Sequence, residues 1–192
     1  MGLVVLDMSM SLDGFVAGPN VARERPMGDR GERLHDWMSA ARTDGEPRVF
    51  DEAAFGTTGS VVMGRRTFEV GEGPWGDDTF HVPCFVITHE PRETLAKGRA
   101  AFTFVTDGVG RALEQATAAA GDGNVTVMGG AGVAQQFLKA GLLDELRLHL
   151  VPVLLGDGIR LFDRHGSGQV ELEPPEVIEA PGGTHLRYRL VR

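Results

Sequence analysis

Residues 125–138 read VTVMGGAGVAQQFL, and no other stretch limits the possible folds as much. Residues 125–128 alternate β-branched and apolar types, as a buried strand does. The chain then passes directly into Gly129-Gly130-Ala131-Gly132. A helical apolar pattern follows over about 133–140, with Gly141 as its C-cap candidate. A tight turn needs one glycine. Three in four positions indicate a backbone that something approaches closely, and at a helix N-terminus the favoured visitor is a phosphate. The pattern is neither G-x-x-x-x-G-K-[ST] nor G-x-G-x-x-G, so neither a triphosphate loop nor a standard Rossmann fingerprint is supported. Taken alone, the stretch fits a purely structural turn equally well.

A second unit of the same kind is VVMGRRTFE, residues 61–69. Gly64 closes a strand over 60–63, and Arg65, Arg66 and Thr67 open a short helix over 65–70. Two guanidinium forks beside a hydroxyl and free N–H groups suit a dianionic phosphate such as the 2′-phosphate of NADP. Glu69 reads as a structural or surface group. In MSLDG, residues 10–14, Asp13-Gly14 is a turn pair, and also a loop that can lie over a ligand. Thr88-His89-Glu90 ends a strand with a hydroxyl and an imidazole, a pair able to contact an adenosine. His35-Asp36-Trp37 offers either a ligand contact or a core Trp beside an exposed carboxylate. His149 reads as a half-buried strand residue. His81, His165 and His185 have no ligand spacing, so no metal site is expected. No G-x-S-x-G motif is present.

The remaining pattern gives the layers. Strands are expected over 2–9, 60–63, 82–88, 101–105 and 125–128. Residues 11–20 read as an irregular loop. A helix over 29–41 puts Leu34, Trp37, Met38 and Ala41 on one face, before a polar break at 43–47 and a short helix at 49–55. Residues 71–78 are turn-rich, and an alanine-rich helix over 109–120 closes at Gly121. From 144 strands dominate: a long one over 144–162 interrupted at Pro152, then two over 170–180 and 184–191. Alternating strands and helices followed by strands predict an α/β fold. Its central sheet is mostly parallel, flanked by helices on both faces, with an antiparallel C-terminal edge, in one domain spanning 1–192.

Composition limits the partners. The 192 residues are 42% hydrophobic and 24% charged, with formal net charge −8. Nucleic acid and anionic membranes both require a basic surface, so neither is expected as a partner. No apolar run approaches the roughly 20 residues of a membrane span. The single cysteine, Cys84, reads as a buried small hydrophobe, and a cytoplasmic, reducing location is expected.

The ordered set of SLDG loop, VVMGRRTFE, VPCFVITHE and VTVMGGAGVAQQFLKAGLLDELRLHLVPVLLGDGIRLF resembles the dihydrofolate reductase-like superfamily. It is most similar to the reductase domain of the riboflavin-pathway bifunctional deaminase-reductase and its stand-alone relatives, over nearly the whole chain. The resemblance implies an NADPH-dependent reductase transferring hydride to a small heterocycle, 5-amino-6-(5-phosphoribosylamino)uracil in the riboflavin pathway, and a homodimer. Gly64, Arg65, Arg66 and Thr67 would grip the cofactor phosphates, and Thr88 and His89 would lie at its adenosine end. Gly129, Gly130, Ala131, Gly132 and Val133 would cradle the pyrophosphate. Asp13, with Gly14, would sit in the loop over nicotinamide and substrate, and Asp36 is the second candidate for orienting substrate, with Glu32 in the same region. Three substrate-side positions depart from the riboflavin-pathway pattern: Asp7 in place of a lysine, Met128 in place of an acidic residue, and Phe15 in place of a basic one. A pterin or dihydrofolate reductase, and a nucleotide-binding module without turnover, therefore stand as alternatives.

Overall fold

A computed structural model of the chain describes residues 2–40, 56–77, 79–163, 166 and 168–191. The break at 43–47, the short helix at 49–55, Ala41 and His165 lie outside the described residues. The chain begins with β1 (Val4–Ser11), β2 (Phe15–Ala17), a 3-10 turn (Gly31–His35) and α1 (Asp36–Ala40). It continues with β3 (Thr58–Gly64), α2 (Arg65–Gly71), β4 (Cys84–Ile87), β5 (Leu95–Lys97), β6 (Ala100–Val105) and α3 (Gly108–Ala120). Then come β7 (Asn124–Val127), α4 (Ala131–Lys139), β8 (Glu145–Val151), β9 (Ile159–Arg160), β10 (Glu176–Ala180) and β11 (Gly183–Arg189).

Nine strands form one sheet in the order β10-β11-β8-β1-β7-β3-β4-β6-β5, and β2 pairs separately with β9. The six strands from β8 to β6 in that order are mutually parallel, while β5, β10 and β11 pair antiparallel at the two edges. The expected α/β architecture with a mostly parallel sheet is therefore present, and the antiparallel C-terminal edge consists of β11 and β10. Strand β8 is itself parallel to β1, because α4 is a crossover that returns the chain to the same end of the sheet.

Local differences from the sequence expectation have local causes. Pro152 cannot donate to a ladder, so the long strand expected over 144–162 stops at Val151, and the chain returns as β9 against β2. Strand β2 thus comes from the stretch read as loop. The expected first helix opens as a 3-10 turn behind Arg30, which has φ 63°. Strand β5, missed in the sequence, is three residues long and folds back through Gly98 onto β6.

Alternation along the central strands divides the core. Leu6, Val62 and Val127 face α3 and α4, where Ala112, Ala116, Ala134 and Phe137 cover them. Val61, Met63, Val86 and Phe102 face the other way, beneath Phe68 of α2. On that second face Leu34 and Trp37 seat the 3-10 turn and α1 against Val151 of β8. Phe68 is fully buried, 5.2 Å between ring centroids from Phe102, so its packing holds the helix that carries Arg65, Arg66 and Thr67. Strands β1, β3 and β7 are neighbours and end at the same edge of the sheet, the edge at which ligands bind in sheets of this kind.

Candidate active site

The two glycine turns meet at that edge. The Gly64 N–H donates to the Gly129 carbonyl at 2.7 Å, locking the loop after β3 to the loop after β7. A Cβ on Gly64 would lie 3.0 Å from Val133 Cγ2, and one on Gly130 would lie 3.2 Å from Thr67 Oγ1. Gly64 and Val133, and Gly130 and Thr67, are therefore closely packed, and a side chain at either glycine would have to push its neighbour aside. Gly129 has φ 126°, a conformation open in practice only to glycine, and its peptide bond to Gly130 is cis. Gly132 differs: a Cβ there would meet nothing within 4 Å, so the glycine is not required by the fold around it.

Both following helices start without a side-chain cap. Gly64 precedes α2 and Gly130 precedes α4, each with extended backbone and no side-chain hydrogen bond at the cap. Leading N–H groups of a helix left in this way attract an anion. Bare backbone at 129–132 and two uncapped helix starts fit the pyrophosphate of a dinucleotide.

The remaining candidates occupy distinct places around this centre. Arg65 and Arg66 are exposed on the first turn of α2. Arg65 bridges to Glu69 at 3.1 Å and Glu90 at 3.8 Å, and Arg66 donates to the Val21 carbonyl at 2.9 Å. Thr88 is buried, and its hydroxyl accepts the Glu90 N–H at 3.0 Å, while the neighbouring His89 is exposed. Asp13 staples two loops. Its carboxylate accepts the Ser11 hydroxyl at 2.6 Å and the N–H groups of Leu155 and Gly156 at 3.1 and 2.8 Å. The Ser11 hydroxyl foremost, helped by those backbone N–H groups and opposed by desolvation, holds the Asp13 carboxyl below the usual carboxylate range. Asp36 is an exposed carboxylate paired with Arg33 at 2.9 Å. With Val153, Leu154 and Leu155 it lines a depression of about 440 Å³, so Asp13 and Asp36 flank the same 153–156 segment.

Two groups of residues had escaped the sequence reading. Arg160 lies over the Phe15 ring at 4.4 Å, donates to the Asp13 carbonyl at 3.0 Å, and lines an open groove of about 560 Å³ with Gly132 and Gln135. The GDG turn ahead of it was the available signal for a chain returning to the site. The second group is a buried polar cluster. His149 Nε2 lies 3.0 Å from Asp7 Oδ1, and its Nδ1 lies 2.6 Å from His185 Nδ1. Trp37 covers both rings at centroid distances of 4.4 and 4.9 Å and donates its indole N–H to Ser9. Burial foremost, with His149 alongside, pushes the His185 imidazole down to about 4. The alternation of HLRYRLV had placed His185 on a strand, but only the β8–β11 register sets it opposite His149.

Among the described residues no group of three or more His, Cys, Asp or Glu is arranged to hold a metal ion, and no helix is long and apolar enough to cross a membrane.

Against known proteins, the model of the RibD C-terminal domain matches residues 3–186. Bacillus subtilis (strain 168) YwjB, an uncharacterized protein, is 28% identical over 163 residues, covering 82% of this chain and 81% of its own. A solved Shewanella sp. PV-4 protein, provisionally assigned to riboflavin biosynthesis, superposes with TM-score 0.73 at 23% identity over 99% of both chains. Enterococcus faecalis dihydrofolate reductase, solved with NADP(H), superposes with TM-score 0.59 at 17% identity, covering 98% of this chain and 96% of that one. At these identities the two structures establish the dihydrofolate reductase-like fold.

Proposed function

The chain belongs to the RibD C-terminal domain family, and from that premise we propose that it is an NADPH-dependent reductase of a small nitrogen heterocycle. The observation that carries this reading is the interlock of Gly64 with Gly129, which sets two uncapped helix starts and a bare backbone side by side at the carboxyl edge of the sheet. The cofactor, when bound, supplies the hydride. Gly129 to Gly132 hold its pyrophosphate through backbone N–H groups, with Val133 as the spacer that keeps the turn against Gly64. Thr67, Arg65 and Arg66 receive the 2′-phosphate, Arg65 exchanging its exposed pairing with Glu69 for the ligand. Thr88 shapes the strand end so that His89 reaches the adenosine.

On the substrate side, Asp13 positions the 153–156 segment rather than giving up a proton, since three donors already occupy its carboxylate. Asp36 is a rim carboxylate for a polar ring. The first substrate class is the phosphoribosylamino-pyrimidine of the riboflavin pathway. A pterin or dihydrofolate is the second reading, favoured by Asp7, a carboxylate where the riboflavin-pathway reductases resembled here carry a lysine. A homodimer is part of the proposal through the resemblance to the riboflavin-pathway reductases.

The test is a parallel titration with NADPH and NADH, followed by quenching of the two tryptophans and by calorimetry. NADPH should bind more tightly than NADH. Arg65→Ala with Arg66→Ala should weaken NADPH by about 10–100-fold, the loss of one or two charge-assisted bonds, and leave NADH nearly unchanged. A screen of pyrimidine, pterin and folate acceptors for NADPH oxidation then separates the substrate classes.

A further inference from the structure

The Asp7–His149–His185 cluster lies on the same face of the sheet as α2, next to the glycine turn. Leu6 pairs with Val127, so Asp7 is level with Met128, the residue before Gly129. Leu6 points into the α3–α4 core, which puts Asp7 on the opposite face, the one on which Met128 packs with Met63 and Phe68. Met8, the next residue of β1, lies 3.8 Å from where a Cβ on Gly129 would be. A largely buried carboxylate thus adjoins the centre of the candidate site.

The geometry of the cluster fixes its protonation chemistry. Two Nδ1 atoms 2.6 Å apart require one proton between them. His149 presents its other nitrogen to Asp7 Oδ1 and must be N–H there to face a carboxylate. With His185 kept neutral by its burial, two arrangements satisfy both contacts. In one, His149 is a cation that donates to Asp7 and to His185, and His185 carries its proton on Nε2. In the other, His149 is neutral and accepts from His185, which carries its proton on Nδ1. They differ by one proton and by the tautomer of His185. Asp7 Oδ2 is buried and has no hydrogen-bond partner among the described residues, leaving the carboxylate an oxygen not engaged by the relay.

We propose that Asp7 delivers the proton that reduction in this site requires, and that His149 and His185 are positioning residues that store and replace it. The proposal rests on the reductase reading. A C=N or C=O acceptor that receives hydride on carbon moves its π electrons to the heteroatom, which then takes one proton. Asp7 passes a proton to the heteroatom and takes the Nε2 proton of the cationic His149 in its place, which leaves His149 neutral with its remaining proton on Nδ1 toward His185, and solvent then recharges His149. His35, on the 3-10 turn, is the further imidazole acting on His149, and Trp37 screens both rings from above.

Histidine ring 15N NMR on the whole protein between acidic and mildly alkaline pH tests this. The expected result is uptake of one proton by the pair, with His185 switching from the Nδ1–H to the Nε2–H tautomer as pH falls. Asp7→Asn should move that midpoint down by about 1–3 pH units, since an opposite charge beside the imidazolium is removed. Should Asp7→Asn fail to fold, His185→Gln serves: it should abolish the two-ring coupling. Fixed tautomers across the range, or a midpoint indifferent to both substitutions, overturn the proposal. The probe NADP⁺ separates the two readings. Binding of NADP⁺ that shifts the midpoint supports delivery at the site. Binding without any shift overturns the proposal and leaves the reductase reading standing. No NADP⁺ binding, with the tautomer switch intact, overturns the reductase reading and the delivery role with it.

Discussion

Asp13 shows how a single side chain differs between its sequence and its structural meaning. In the sequence, Asp13-Gly14 was a turn pair or a loop over a ligand. In the structure its carboxylate ties Ser11 to the 155–156 backbone, two segments more than 140 positions apart, as the Leu155 and Gly156 bonds record. Asp13→Asn should keep the shape and lose the charge. Its urea midpoint should fall at neutral pH and converge on wild type in acid. The sign follows from the depressed folded pKa: the stabilisation is present above the ordinary aspartate value of about 3.9 and is lost as pH falls through the lower folded value. Equal midpoints at neutral pH would remove the staple. Gly129, Gly130, Arg65 and Arg66 were marked as candidates in the sequence because glycine and arginine carry their chemistry in any context. Asp7, His149 and His185 were not, because their meaning is a lateral contact across three strands, and single-strand alternation holds no information on register.

Among the elements, those with strong periodicity or firm punctuation were readable: α3 with Gly121 behind it, α4 with Gly141, and β7 running into its glycines. Strand β9 and the 3-10 turn were not, since a two-residue strand and a distorted helix start carry almost no pattern of their own. The β7–α4 unit was read correctly as a strand, a turn and a helix, but its lock onto Gly64 is tertiary. Gly129→Ala should therefore act on the element as well as on the residue. It forces a side chain to φ 126° and to 3.4 Å from Thr67, so it should destabilise the protein by about 1–3 kcal/mol in chemical unfolding. No measurable loss would mean that the two turns are not rigidly interlocked.

At the scale of the molecule, alternation of strands and helices up to the fifth parallel strand was enough to give the α/β architecture, and the change of pattern after 144 gave the antiparallel edge. The direction of β8 was not readable, because crossover topology is decided by packing of α4 and not by the strand's own residues. The whole fold also carries a pH dependence. His185 is held neutral by burial down to about 4, below the ordinary histidine value of about 6.5, so between those values the unfolded chain binds protons the folded one refuses. Stability should fall as pH drops from 7 to 5, by at most about 1.4 kcal/mol per pH unit from this group, and a flat profile would contradict the burial. The claim on which function depends is that the glycine turn is a phosphate cradle and not only a turn. Gly132 isolates it, because a Cβ there meets nothing in the protein. The decisive measurement is calorimetric NADPH binding to wild type and Gly132→Ala, with thermal unfolding of both. An intact or slightly more stable fold with NADPH affinity reduced about tenfold or more, roughly one lost backbone hydrogen bond, is the expected result. Unchanged affinity in the variant, or no NADPH binding to wild type, would contradict the cradle and the reductase assignment built on it.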